Sequence, residues 1–224
     1  MPPRILRPHL ASNGDALSRR HHLALAAVAG SGVALLAALV AELDADEHWP
    51  MDHRIRAALA THKAPLFRAS LKTAGLAGSI GVYAPATLIA MWVVAHRRRT
   101  TRHAWPIAGS VVGAAAASLL LKQLVRRPRP RALPGPENEK PSFPSGHATR
   151  ASAAALAIAY VLVRERMAAR GVALPLALGI AAAAGVSRAY ADAHWTTDVI
   201  GGWALGGAAA ATSALVYERG RAND

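Results

Sequence analysis

The chain has 224 residues, 53% of them apolar and only 17% charged, with no cysteine and a formal net charge of +13. One domain is expected at this length, and the lack of thiols removes disulfide frameworks and thiolate chemistry. The basic excess does not read as nucleic-acid binding, because Lys and Arg stand between long apolar runs and aromatics make up only 5% of the chain; the partner that this pattern predicts is a lipid bilayer.

Residues 1–22 carry Arg4, Arg7, Arg19 and Arg20 among prolines and a Ser-Asn-Gly stretch without apolar period, and a disordered or surface-lying cytoplasmic tail is expected there. Leu23 to Leu43 follows as an apolar run interrupted only by Glu42. It exceeds the roughly 7–15 residues of a signal-peptide core and lacks a small-residue cleavage site, so a retained first span is expected. Asp44, Asp46, Glu47 and Asp52 come next, then His53 to Lys63, with Ile55, Ala58, Leu59 and, beyond Pro65, Leu66 at near-helical spacing. Too short and too charged to cross, this segment reads as an amphipathic helix at the interface with Trp49 as anchor, or as an ordinary loop helix.

Further apolar runs cover about Ala74 to Ala95, Trp105 to Leu121, His147 to Val163, Val172 to Tyr190 and Val199 to Tyr217. The mean hydropathy of +0.21 is low for such a chain because alanine, which dominates the runs, is nearly neutral on transfer scales. The expected fold class is all-α, a six-transmembrane-helix bundle over residues 23–217, followed by a short cytoplasmic tail at 218–224. Six spans put both termini on one side. Arg97 to Arg102, Arg164 to Arg170 and Arg219 to Arg221 fall on that side too, which the positive-inside rule makes the cytoplasm. Arg126, Arg127, Arg129 and Arg131 lie outside, against the rule, and anion binding supplies a reason for them.

Three patches share this outer face: Lys122 to Pro130 after the third span, Pro144-Ser145-Gly146-His147 at the start of the fourth, and Ser187 to Asp198 between the fifth and sixth. Their Lys, Arg and Ser donors lack matching acceptors, which suits a small, multiply charged oxyanion such as phosphate. A Ser-Gly step at a helix start adds backbone N–H groups and the positive end of the helix dipole, although the same tripeptide is also an ordinary turn and cap. His194 and Asp198, four apart, can meet on one helical face, the carboxylate fixing the imidazole tautomer and leaving the other nitrogen free to attack; Asp192 is a competing partner.

In order, the patches read Lys122-x6-Arg129-Pro130, Pro144-Ser145-Gly146-His147 and Ser187-Arg188-x5-His194-x3-Asp198. This resembles the three-part signature of the type 2 phosphatidic acid phosphatase (PAP2) superfamily. The resemblance implies a metal-independent lipid phosphatase without cofactor, acting through a phosphohistidine. His194 would be the nucleophile, Asp198 its orienting carboxylate and His147 the general acid. Lys122, Arg129, Ser145, Gly146 and Arg188 would bind the phosphoryl oxygens. The implied setting is the cell (inner) membrane, the site facing the periplasm or exterior, and the substrate a membrane lipid phosphate. Undecaprenyl diphosphate is the first expectation, then phosphatidylglycerophosphate, phosphatidic acid and the lipid A phosphates. A lipid-phosphate transporter and a vanadate-dependent haloperoxidase are the other classes considered. No metal-ligand spacing is visible, and His21, His22, His48, His53, His62, His96 and His103 are expected to have no chemical role. Arg126, Arg127 and Arg131 read as headgroup or entrance charges, Trp195 as an interfacial anchor, and Gly202 with Gly206 as a helix-packing contact.

Overall fold

The computed structural model describes residues 9–43, 49–61, 65–130 and 140–222. Arg4, Arg7, Asp44, Asp46, Glu47, His48, His62 and Arg131 lie outside the described residues. Those described form eight α-helices: α1 (His9–Glu42), α2 (Pro50–Thr61), α3 (Pro65–Gly75), α4 (Ile80–Arg98), α5 (Trp105–Val125), α6 (Gly146–Arg164), α7 (Arg170–Tyr190) and α8 (Thr196–Ala222). Six are long and apolar enough to span a bilayer: α1 from Ser18 onward and α4 to α8. Leu88, Ile89, Trp92, Val112, Leu119, Leu120, Leu124, Leu176 and Leu178 stay exposed on them. A helix surface of that kind is soluble only in lipid, so the chain is a multi-pass membrane protein.

Two boundaries differ from the expected ones. Helix α1 runs back to His9, through the basic segment upstream of Leu23. The second span starts at Ile80 rather than Ala74, because a 3₁₀ turn at Leu76–Gly78 separates α3 from α4. Close approach explains the turn. A Cβ at Gly75 would lie 2.7 Å from Ser187 Oγ, and one at Gly78 would lie 2.6 Å from the His147 carbonyl oxygen. Only glycine lets the chain cross the ends of α6 and α7 at that distance.

Helices α6 and α8 form the centre, with α8 packed on α1, α5, α6 and α7. Without a hydrophobic effect between spans, contact depends on small residues. Ala148, Ala151, Ala153, Ala154 and Ala157 of α6 are buried, as are Ala208, Ala210, Ala211 and Ala214 of α8. The Gly202–Gly206 pair is a packing contact, as its spacing predicts: a Cβ on Gly202 would meet the Ser145 carbonyl at 2.7 Å, and one on Gly206 the Thr149 carbonyl at 2.5 Å. The first turn of α6 is thereby pressed onto the first turns of α8.

The opposite end of the bundle is closed by ion pairs. Glu165, at the end of α6, accepts from Tyr217 and pairs with Arg98 and with His103, the last at 2.8 Å. Burial alone would raise the Glu165 carboxyl, but the Tyr217 hydrogen bond and the charges of Arg98 and His103 hold it below the ordinary carboxylate range. Glu218 of α8 is bound by Arg164 at 2.6 and 2.7 Å and by Tyr160 at 2.7 Å.

Candidate active site

The three patches meet at one end of the bundle. Helix α5 ends at Val125, where Arg126 adopts φ 51 and its N–H closes on the Lys122 carbonyl. That reversal sends Arg127 to Pro130 back over the bundle, where Ser142 N–H bonds the Arg127 carbonyl at 2.8 Å and Ser142 Oγ–H the Pro128 carbonyl at 3.0 Å. The Lys122 ammonium donates to the carbonyls of Pro141 and Ser142 at 2.6 and 3.2 Å, tying the first patch to the strand of chain that enters α6. Ser145 N–H donates to the Asp198 carbonyl at 2.9 Å, joining the second patch to the third.

His194 lies in the bend between α7 and α8, 5% exposed. Its Nδ1 is 3.3 Å from Asp198 Oδ2 and its Nε2 is 3.4 Å from Arg129 Nη1. These partners assign the tautomer: Nδ1–H donates to the carboxylate, and the Nε2 lone pair faces the guanidinium. Asp198 is fully buried and also accepts the Trp195 backbone N–H at 2.9 Å, which fixes the bend at the start of α8. Arg129 is held by the carbonyls of Lys140 at 3.1 Å and Ala193 at 2.9 Å.

Ser145 is fully buried, and its Oγ has no hydrogen-bond partner. It caps α6 by position only: its carbonyl accepts from Thr149 N–H at 2.9 Å, while its hydroxyl stays unused beside the free amides of the first turn. Such an orphaned donor, at the positive end of a helix dipole, fits an incoming oxyanion.

His147 and Arg188 line a cavity of about 600 Å³ with Ser187, Gly75, Lys72 and Asp192. His194 borders an adjoining recess with Arg56, Pro130 and Trp195. Between the two stands a bidentate pair, Arg56 Nε and Nη2 to the Asp192 carboxylate at 2.6 and 2.8 Å. Asp192 is thus engaged by α2, and the carboxylate facing the His194 imidazole is Asp198. Of the eight residues expected at the site, Lys122, Arg129, Ser145, Gly146, His194 and Asp198 are linked by direct contacts or through adjacent backbone. His147 and Arg188 share the neighbouring cavity.

Two expectations need correction. Arg127 is not an entrance charge: it is 1% exposed, and its guanidinium bridges Asp198 Oδ1 at 2.8 Å, Thr197 Oγ1 at 2.6 Å and Asp52 Oδ2 at 2.7 Å. Asp52, also 1% exposed, in turn accepts the Thr197 N–H at 3.0 Å. Trp195 is not an interfacial anchor but is 4% exposed, donating its indole N–H to the Pro128 carbonyl at 3.0 Å, with the Arg127 and Arg56 guanidinium carbons 5.4 and 5.7 Å from its ring. His53, expected to have no chemical role, packs against Trp195 with ring centroids 5.2 Å apart.

Burial pushes the His194 imidazole from 6.5 down to about 4; Asp198 pulls it up and the Lys122 and Arg129 charges add to the downward push. A lowered base takes its proton later on acidification. Between pH 6.5 and about 4 the unfolded chain therefore binds a proton that the folded chain refuses, and the stability this contributes is lost as pH falls through that window. The imidazole is expected to remain neutral, and nucleophilic, down to about pH 5. ¹⁵N spectra of histidine-labelled protein in detergent, with His194→Asn identifying the signal, test this; a midpoint near the ordinary value of about 6.5 would contradict it.

Among the described residues no group of three or more His, Asp or Glu side chains is placed to hold a metal ion. The family model of the PAP2 superfamily matches residues 103–221. Phosphatidylglycerophosphatase B of Bacillus subtilis is 37% identical over 98 residues, which is 39% of this chain and 44% of that protein. The alignment therefore spans under half of that curated relative. Among solved structures, the transmembrane PAP2-type phosphatidylglycerolphosphate phosphatase of Bacillus subtilis superposes with a TM-score of 0.72 at 23% identity, covering 88% of this chain and 95% of that one. Aquifex aeolicus LpxE gives a TM-score of 0.61 at 20% identity, covering 76% and 98%. These likenesses establish the fold, and the family match takes in all three patches and four of the six spans; the chain belongs to the PAP2 superfamily.

Proposed function

We propose that the protein is a membrane phosphohydrolase that removes the terminal phosphate of a lipid, with His194 as nucleophile. The observation that carries this reading is His194 itself, held through Nδ1 by a buried carboxylate while Nε2 faces Arg129. In this mechanism Nε2 attacks phosphorus in line. Asp198 holds the tautomer and stabilises the imidazolium that forms. Phosphoryl transfer otherwise needs charge neutralisation on the equatorial oxygens. Lys122, Arg129 and Arg188, with the Ser145 hydroxyl and Gly146 N–H, supply it without a metal. His147 protonates the departing oxygen and then, having lost its proton, takes one from the water that splits the phosphohistidine.

A lipid is favoured over a soluble phosphate by a groove of about 860 Å³ between α4, α6 and α7, lined by Val82, Tyr83, Ile89, Ala154, Ile158 and Leu176 among others. Its floor on α6 is Ala151, Ala154, Ala155, Ile158, Ala159 and Leu162. That stripe extends back at helical spacing to His147, so the groove leads from the site along the membrane. A water-filled slot of this composition would be costly, whereas an acyl or prenyl chain fills it favourably. Undecaprenyl diphosphate and phosphatidylglycerophosphate are the substrates of first choice, the second strengthened by the phosphatidylglycerophosphatase B relative; phosphatidic acid and lipid A follow. The arginine-rich opposite end, with Arg97, Arg98, Arg99, Arg164, Arg166, Arg219 and Arg221, supports a site on the periplasmic or outer face by the positive-inside rule.

The test is phosphate release by the purified full chain in detergent with EDTA, across these four lipids. Release from at least one is expected. Folded protein that binds phosphate or vanadate but releases none from any lipid would overturn the reading in favour of transport or oxidation chemistry.

A further inference from the structure

One cation at this end of the bundle has no part in the mechanism above. Arg150 stands one turn beyond His147 on α6, half-buried in a membrane span. An arginine there is costly unless it answers a charge. Yet no carboxylate pairs with it among the described residues. Its partners are the Gly78 carbonyl, 3.4 Å from Nε, and the Tyr83 ring, 5.6 Å from the guanidinium carbon. The head of the guanidinium is folded toward the start of the helix. A Cβ placed on Gly146 would lie 2.9 Å from Nη1 and 3.4 Å from the guanidinium carbon. The glycine that leaves room for a phosphoryl oxygen therefore also leaves room for this side chain. On its other side Tyr83, Ala77 and Ala151 form the near end of the apolar groove.

Arg150 thus lies between the phosphate cradle and the path of the chain. A lipid whose terminal phosphate enters the cradle and whose tail follows the groove must pass its head-to-tail linkage by this guanidinium. In a monophosphate that linkage is neutral and offers a planar fork little to bind. In a diphosphate, or in a lipid with a phosphodiester behind its terminal phosphate, an anionic group falls there, suited to the paired N–H donors of arginine. We propose that Arg150 binds a second phosphate on the chain side of the one removed, and so sets a preference for lipids carrying two phosphates. The inference rests on the phosphatase reading given above.

Two substrates with the same chain separate the effects: a prenyl diphosphate and the matching prenyl monophosphate, assayed with the full chain in detergent. Arg150→Met should lower kcat/KM for the diphosphate by about 10- to 100-fold, the scale of a lost charged hydrogen bond, with the monophosphate within about threefold of wild type. Arg150→Lys should recover part of the loss, and a melting curve for each variant reports the fold. Equal losses on both substrates, or no loss on either, would overturn the assignment while leaving the phosphatase reading standing. A folded wild type without turnover on any lipid phosphate would instead remove the phosphatase reading and the assignment with it.

Discussion

Replacing His194 by alanine is expected to abolish phosphate release and covalent labelling together, whereas replacing His147 by alanine should preserve the label and lose the turnover. The difference follows from where each ring stands. His194 is the imidazole whose Nδ1 is oriented by Asp198 and whose Nε2 faces the cations. On the proposed mechanism no bond to phosphorus forms without it, and a loss of about 10⁶-fold is the scale seen when the nucleophile of a covalent mechanism is deleted. His147 borders the neighbouring cavity beside Arg188, and the proposed mechanism asks it for protons rather than bonds. Its loss should cost about 10²- to 10⁴-fold, and the size should depend on the leaving group. With an alkyl phosphate the first step needs the acid. With p-nitrophenyl phosphate it does not, so His147→Ala should give a burst of one nitrophenolate per chain and then stall. Acid-labile, alkali-stable ³²P on His147→Ala but not on His194→Ala would carry the two assignments. Label on His194→Ala, or wild-type turnover by it, would sink them.

The parts of this site that could be read in the sequence are those whose chemistry is local. Ser145, Gly146 and His147 are adjacent, and His194 and Asp198 are one helical turn apart, so residue type and spacing suffice. The six spans were equally legible, because hydropathy is a property of each segment alone. Arg127 and Asp52 were not, since they are 75 positions apart and their meeting is a product of packing. One signal did exist: Arg127 belongs to an arginine run standing against the positive-inside rule, which marks a cation retained for a reason other than topology. Trp195 misled for a similar cause. Tryptophans at span ends are usually anchors, and only the fold reveals a Pro128 carbonyl within reach of this indole. The start of the second span was missed because Gly75 and Gly78 look like ordinary small residues until α6 and α7 are laid against them.

The buried cation carries the second large expectation. Arg127→Met should destabilise the protein by about 3–5 kcal/mol, the range for removing one member of a buried ion pair and leaving its partner charged. Here two carboxylates are stranded, Asp52 and Asp198, and Thr197 loses a donor to its hydroxyl. Arg127→Lys should recover only part, because one ammonium cannot reproduce the fork whose Nη1 and Nη2 serve different carboxylates. The loss should be largely relieved when Asp52 is made neutral in the same chain. In Arg127→Met with Asp52→Leu the two effects are expected to fall short of their sum by more than about 1 kcal/mol, since contacting residues are not additive. Thermal unfolding in one detergent, single and double variants side by side, measures both quantities. A shift below about 1 kcal/mol for Arg127→Met would mean that water or another cation reaches the carboxylates. If the bridge holds as described, Arg127→Met that still folds should also raise the temperature sensitivity of turnover, because the carboxylate that orients the His194 imidazole is then held from one side only.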